Sequence, residues 1–169
     1  GIDLTLPEGS FTALVGPSGG GKSTVAKLIA RFWDVSAGEI TVGGVNVKDM
    51  PLSQLSEYVS FVTQDNFLFN CSLLENIRLG DPGATDEQVR AAARAAQCEE
   101  FIEKLPQGYD TPAREAGKCL SGGEKQRIAI ARMMLKNAPI VILDEAMAFT
   151  NPENEDKLQR SIAALTKGK

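Results

Sequence analysis

One octet restricts what this chain can become more than any other stretch: Gly16-Pro17-Ser18-Gly19-Gly20-Gly21-Lys22-Ser23. It fits the pattern GxxxxGK[ST] at every fixed position. Before it lies an apolar run at residues 11–15 that reads as a short strand. After it, Val25, Leu28, Ile29 and Phe32 recur at helical spacing over residues 25–32. Glycines let the backbone curl until successive N–H groups point inward, and the helix starting near Ser23 adds the positive end of its dipole. Strand, glycine-rich turn and helix in that order make a cradle for phosphate oxygens. Lys22 then reaches the outer phosphates, and the Ser23 hydroxyl is a ligand for Mg²⁺.

A second element completes that chemistry. Ile140-Val141-Ile142-Leu143 is a continuous apolar run, as in a strand buried on both faces, and it leads into Asp144-Glu145. An acid at the end of a buried strand is placed to hold Mg²⁺ through water, which is the expected role of Asp144. Its neighbour Glu145 is placed to polarise a water for in-line attack, as general base. A strand-end acidic pair alone would mean no more than a capped sheet. Beside the glycine loop it marks the core of a P-loop NTPase, an α/β fold.

The bulk properties exclude several other classes. The 169 residues suit one domain, with 43% hydrophobic and 24% charged residues. The balance of 18 basic and 22 acidic residues lacks the basic excess of a nucleic-acid binder, so no nucleic-acid partner is expected. There is no histidine, and Cys71, Cys98 and Cys119 are widely spaced, which argues against a zinc site or a disulfide framework. No apolar run approaches the length of about 20 residues needed to span a bilayer.

Along the chain, residues 2–6 alternate apolar and polar as a half-buried strand does. Short β segments are expected at 39–42 and 45–47, joined by Gly43-Gly44, and another strand at 58–63, ending at Gln64. Residues 66–120 are richer in helix signals. Thr85-Asp86-Glu87-Gln88 has the form of a capping box, followed by helices at 89–96 and 99–105. A further helix is expected at 124–135, and a last one starts at Asn151-Pro152. The expected layout is a P-loop ATPase core at 1–65 and 121–169, with a small β-rich portion and an inserted α-helical subdomain at 66–120.

Leu120-Ser121-Gly122-Gly123-Glu124, followed by Lys125-Gln126-Arg127, resembles the LSGGQ signature of ABC ATPases. Taken alone, Ser121 would be a plain helix N-cap ahead of a glycine turn. The order of glycine loop, Gln64, signature and Asp144-Glu145 is that of the ABC cassette over essentially the whole chain. Glu115-Ala116-Gly117, Asn66-Phe67-Leu68-Phe69 and Glu75-Asn76-Ile77-Arg78-Leu79-Gly80 look like the exporter-fold subgroup. Asp144-Glu145-Ala146, running on to Pro152-Glu153-Asn154-Glu155, is similar to siderophore-uptake cassettes that use that fold.

The resemblance implies ATP and Mg²⁺ as ligands. Gly16, Pro17, Ser18, Gly19, Gly20, Gly21, Lys22, Ser23, Thr24, Gln64 and Asp144 would bind the nucleotide, with Ser23, Gln64 and Asp144 toward the metal. It implies a transmembrane partner, fused or separate, and placement on the cytoplasmic side of a membrane through that partner. It also implies a second cassette in a head-to-tail dimer, whose nucleotide Ser121, Gly122, Gly123 and Glu124 would face. Glu124 stands where the signature usually has Gln and brings negative charge near a phosphate. Asn151 stands where the D-loop usually has Asp, and Met147 and Phe149 add apolar bulk nearby. The family's switch histidine and adenine-stacking aromatic have no counterpart here, so the chain reads as a cassette cut at both ends, expected to turn over slowly. ABC ATPases of DNA repair or translation are a rival, but they usually carry coiled-coil arms or a tandem cassette. A nucleotide-binding module without turnover is a second rival, separable by a turnover assay.

Overall fold

The computed structural model describes residues 1–63, 67–114, 118, 120–144 and 152–166. Seven helices are described by their full extents: α1 (Lys22–Ile29), α2 (Leu52–Tyr58), α3 (Leu73–Arg78), α4 (Asp86–Ala95), α5 (Glu99–Ile102), α6 (Gly122–Lys136) and α7 (Pro152–Thr166). The described strands are β1 (Thr41–Val42), β2 (Val45–Asn46), β3 (Val59–Val62) and β4 (Ile140–Leu143). β1 and β2 form an antiparallel hairpin whose turn residues Gly43 and Gly44 both take positive φ. β3 and β4 pair in parallel with Val59 opposite Ile140 and Val62 opposite Leu143.

Two apolar clusters hold the elements. Val47, Met50, Leu55 and Val59 are buried in one, flanked by Ile140 and Ile142 of β4. The larger runs through Leu73, Ile77, Val89, Phe101, Ile102, Ile128, Ile130 and Leu165, so α3–α5 pack on α6 and α7. The Ser161 hydroxyl of α7 donates to the carbonyl of Ala96 at 2.8 Å, and Lys157 pairs with Glu100 of α5. The hydrogen bonds from Lys157 and Lys104 hold the exposed Glu100 carboxyl down at about 2.

α6 is the spine of this arrangement. Gly80, just after α3, lies so close that a Cβ there would sit 2.0 Å from the carbonyl oxygen of Arg132. Asn76 is fully buried, and it accepts from the Phe69 amide at 2.8 Å and donates to the Phe69 carbonyl at 3.0 Å. Arg132 donates through Nε to the Asn76 carbonyl at 2.7 Å, and burial lowers the pKa of its guanidinium. Lys136 Nζ reaches the Val59 carbonyl at 2.8 Å, tying the end of α6 to β3. Asn137 takes φ 54 and stops the helix.

Several expectations need correction. Residues 2–6 and 11–15 are not strands: they have no ladder partner among the described residues, and Ile2, Phe11 and Val15 are 70%, 78% and 92% exposed. Alternation stabilises a strand only when a neighbouring strand takes its hydrogen bonds and a core takes its apolar face. The helix expected at 25–32 instead spans Lys22–Ile29, because Gly21 at φ 84 turns the chain into it and Arg31 at φ 55 turns the chain out. Phe32 therefore leaves the helix and packs its ring against Phe61, centroids 5.1 Å apart. The helix at 99–105 is shorter, ending at Ile102, and α4 starts earlier, at Asp86, behind the expected Thr85–Gln88 capping box. α2 and α3 were not anticipated. For α3 the signal was present, since Ser72 accepts from the Glu75 amide at 3.2 Å in an S-x-x-E pattern.

The Gly80 contact generates a direct test. Gly80→Ala forces a methyl against the backbone of α6 and is expected to cost about 1–3 kcal/mol of stability, read as a lower urea midpoint at unchanged slope.

Candidate nucleotide site

The glycine loop is built by backbone conformations that side chains rarely adopt. Gly19 and Gly21 take φ 77 and 84. The Gly20 amide closes a turn onto the Pro17 carbonyl at 3.1 Å. α1 begins at Lys22 behind Gly21, which has no side chain to cap it, so among the described residues no side-chain cap takes the amides of its first turn. Gly16, Pro17, Ser18, Gly19, Gly20 and Thr24 are exposed, while Gly21, Lys22 and Ser23 are half-buried. The Lys22 ammonium folds back over the loop and donates to the carbonyls of Gly16 at 3.0 Å and Pro17 at 2.9 Å. The cation is thus held over the ring of backbone that a phosphate would enter.

The acidic strand end meets this loop. The Asp144 amide continues the parallel pairing by donating to the Val62 carbonyl at 2.9 Å, which fixes the carboxylate just past β4. Ser23 Oγ donates to Asp144 Oδ1 at 2.7 Å, across 121 residues of chain. A hydroxyl and a carboxylate oxygen side by side are hard donors of the kind Mg²⁺ takes together with water and substrate phosphates. Among the described residues no group of three or more His, Cys, Asp or Glu forms a metal cage. Gln64 and Glu145 lie outside the described residues, as do Glu115-Ala116-Gly117, Met147, Phe149 and Asn151.

The signature forms the start of α6. Ser121 and Gly122 are exposed and Gly123 is buried. Ser121 Oγ accepts from the Glu124 amide at 3.3 Å, and Glu124 Oε2 accepts from the Ser121 amide at 2.7 Å, a full capping box. The Ser121 hydroxyl proton also goes to Glu124 Oε2, at 2.8 Å. The plain N-cap role of Ser121 is therefore real. The part played by Glu124 was missed, although Ser121-x-x-Glu124 is the same S-x-x-E signal.

A phosphate loop touching a strand-end aspartate defines the class of P-loop NTPases. The ABC transporter family model matches residues 1–148, and this chain belongs to that family. It is 49% identical over 166 residues to the "Putative multidrug export ATP-binding/permease protein" of Staphylococcus aureus strain NCTC 8325, covering 98% of this chain and 29% of that protein. A protein of the same name from the bovine strain RF122 is 48% identical over the same length. The structure of a bacterial Atm1-family ABC exporter with ATP bound is similar at TM-score 0.79 and 43% identity, over 88% of this chain and 26% of that one. The chain thus spans less than a third of the length of these relatives.

Lys22 is the one side chain of the octet able to bring full positive charge to a phosphate. Lys22→Ala is expected to weaken ATP binding at least tenfold, about 1.4 kcal/mol. Calorimetric titration checks it, and equal affinity in mutant and parent would exclude this loop as the binding site.

Proposed function

We propose that this chain binds Mg-ATP at the glycine loop and hydrolyses it to power transport by a membrane domain of the same assembly. The observation that carries the reading is the Ser23–Asp144 hydrogen bond of 2.7 Å, which joins the phosphate loop to the strand-end acid. On nucleotide arrival Lys22 exchanges the Gly16 and Pro17 carbonyls for β- and γ-phosphate oxygens. The loop amides and the uncapped start of α1 take the remaining phosphate charge. Ser23 and Asp144 would hold Mg²⁺, with Gln64 as a third ligand, and the bound ion neutralises charge on the phosphate oxygens. Glu145 accepts the proton of the attacking water.

In this reading residues 66–120 act as the helical subdomain beside the ATPase core. Two cassettes pair head to tail, so that Ser121, Gly122 and Gly123 meet the nucleotide held at the partner's loop. The exposure of Ser121 and Gly122 supports this, since among the described residues nothing in their own chain covers them. The membrane domain is supplied by the partner or by a longer chain, because no described helix is long and apolar enough to cross a membrane. The cassette would then lie on the cytoplasmic side. Names of the relatives favour export over the uptake that the siderophore-type resemblance implies.

Glu145→Gln tests the mechanism in the full-length protein. An amide cannot take the proton, so phosphate release at saturating Mg-ATP is expected to fall by about 10² or more while ATP binding is kept. Normal turnover in this variant would remove Glu145 from the role of base.

A further inference from the structure

Ser121 has one hydroxyl proton, and it is committed to Glu124 Oε2 at 2.8 Å. The same oxygen takes the Ser121 amide at 2.7 Å. A carboxylate of the chain itself therefore occupies two of the donors that a phosphate oxygen would seek at the start of α6, the Ser121 hydroxyl and amide. Two anions cannot share those donors without a large repulsion, and the repulsion grows as water is excluded. Ser121 and Gly122 are solvent-exposed and Glu124 is only half-buried, so its carboxylate has room to rotate away.

Resting on the paired-cassette reading above, we infer that Glu124 is an internal anion latch on the signature. It holds Ser121 in the conformation that caps α6 and must release the hydroxyl before Ser121 can donate to the partner's γ-phosphate. Glu124 is thus a positioning residue, acting through Ser121, and it sets how tightly nucleotide closes the pair. The cap and the latch are separable chemically. A glutamine offers an amide oxygen to the same two donors but carries no charge, so it keeps the capping box and removes the repulsion.

The test uses the full-length protein in lipid nanodiscs, in the Glu145→Gln background. It is loaded with labelled Mg-ATP, passed through gel filtration, and followed for retained ATP. Adding Glu124→Gln is expected to lengthen retention about tenfold, with the thermal melt unchanged. Glu124→Ala loses the box and melts lower, yet it still retains ATP longer than the Glu124 protein. If Glu124 only capped the helix, Gln would retain ATP as Glu does and Ala less, and that ranking overturns the latch. If the Glu124 protein binds ATP at equilibrium but retains none after filtration, the paired-cassette reading itself fails and the latch falls with it.

Discussion

The approach of the chain at Gly80 to the backbone of α6 is the constraint on which the rest depends. No side chain fits between them, since a Cβ would lie 2.0 Å from the Arg132 carbonyl oxygen. That contact seats α3 on α6, lets Arg132 reach the Asn76 carbonyl, and leaves Lys136 to bond the Val59 carbonyl of β3. One helix therefore carries the signature at its start and is anchored to the parallel strand pair at its end. Interiors packed this closely respond as units rather than by bending. Phe69 is bonded to the Asn76 side chain, and Asn76 in turn to Arg132 of α6.

Three of the described candidate side chains are each engaged by a partner of their own chain. Lys22 is held by the Gly16 and Pro17 carbonyls, Ser23 by Asp144, and Ser121 by Glu124. In the proposed function these partners occupy the places of phosphate or metal and keep long or polar groups near the positions where they would act. Holding them there lowers the conformational entropy lost on binding. The exchange is not equal at the three places. Neutral carbonyls would release a cation to a phosphate at little electrostatic cost, whereas in the proposed latch the carboxylate of Glu124 would meet a second anion.

The octet, the strand Ile140–Leu143 and the order of motifs were legible because each is local. A glycine turn, a run of branched apolar residues and a hydroxyl three residues before Gln88 state their conformation without reference to distant chain. Residues 2–6 and 11–15 were misread for the converse reason: alternation reports a preference for a strand, and a strand exists only with a ladder partner. Arg31 was opaque too, since nothing in its neighbourhood announces a positive φ. Its guanidinium bonds the Val47 and Met50 carbonyls at 2.8 and 2.7 Å, and these distant acceptors pull the chain out of α1.

By itself the sequence determined the class of chemistry, since GxxxxGK[ST] ahead of a helix dictates anion binding through backbone geometry that glycine alone permits. It also determined the family, through the spacing of motifs along the chain. Only the tertiary structure decided which oxygens face one another. The Ser23–Asp144 bond needs β3 and β4 in parallel register and α1 seated beside them. The double engagement of Ser121 by Glu124 needs a rotamer that sequence does not specify. Contacts across 121 residues depend on packing that no local preference encodes, and that is why they appear only when the chain is folded.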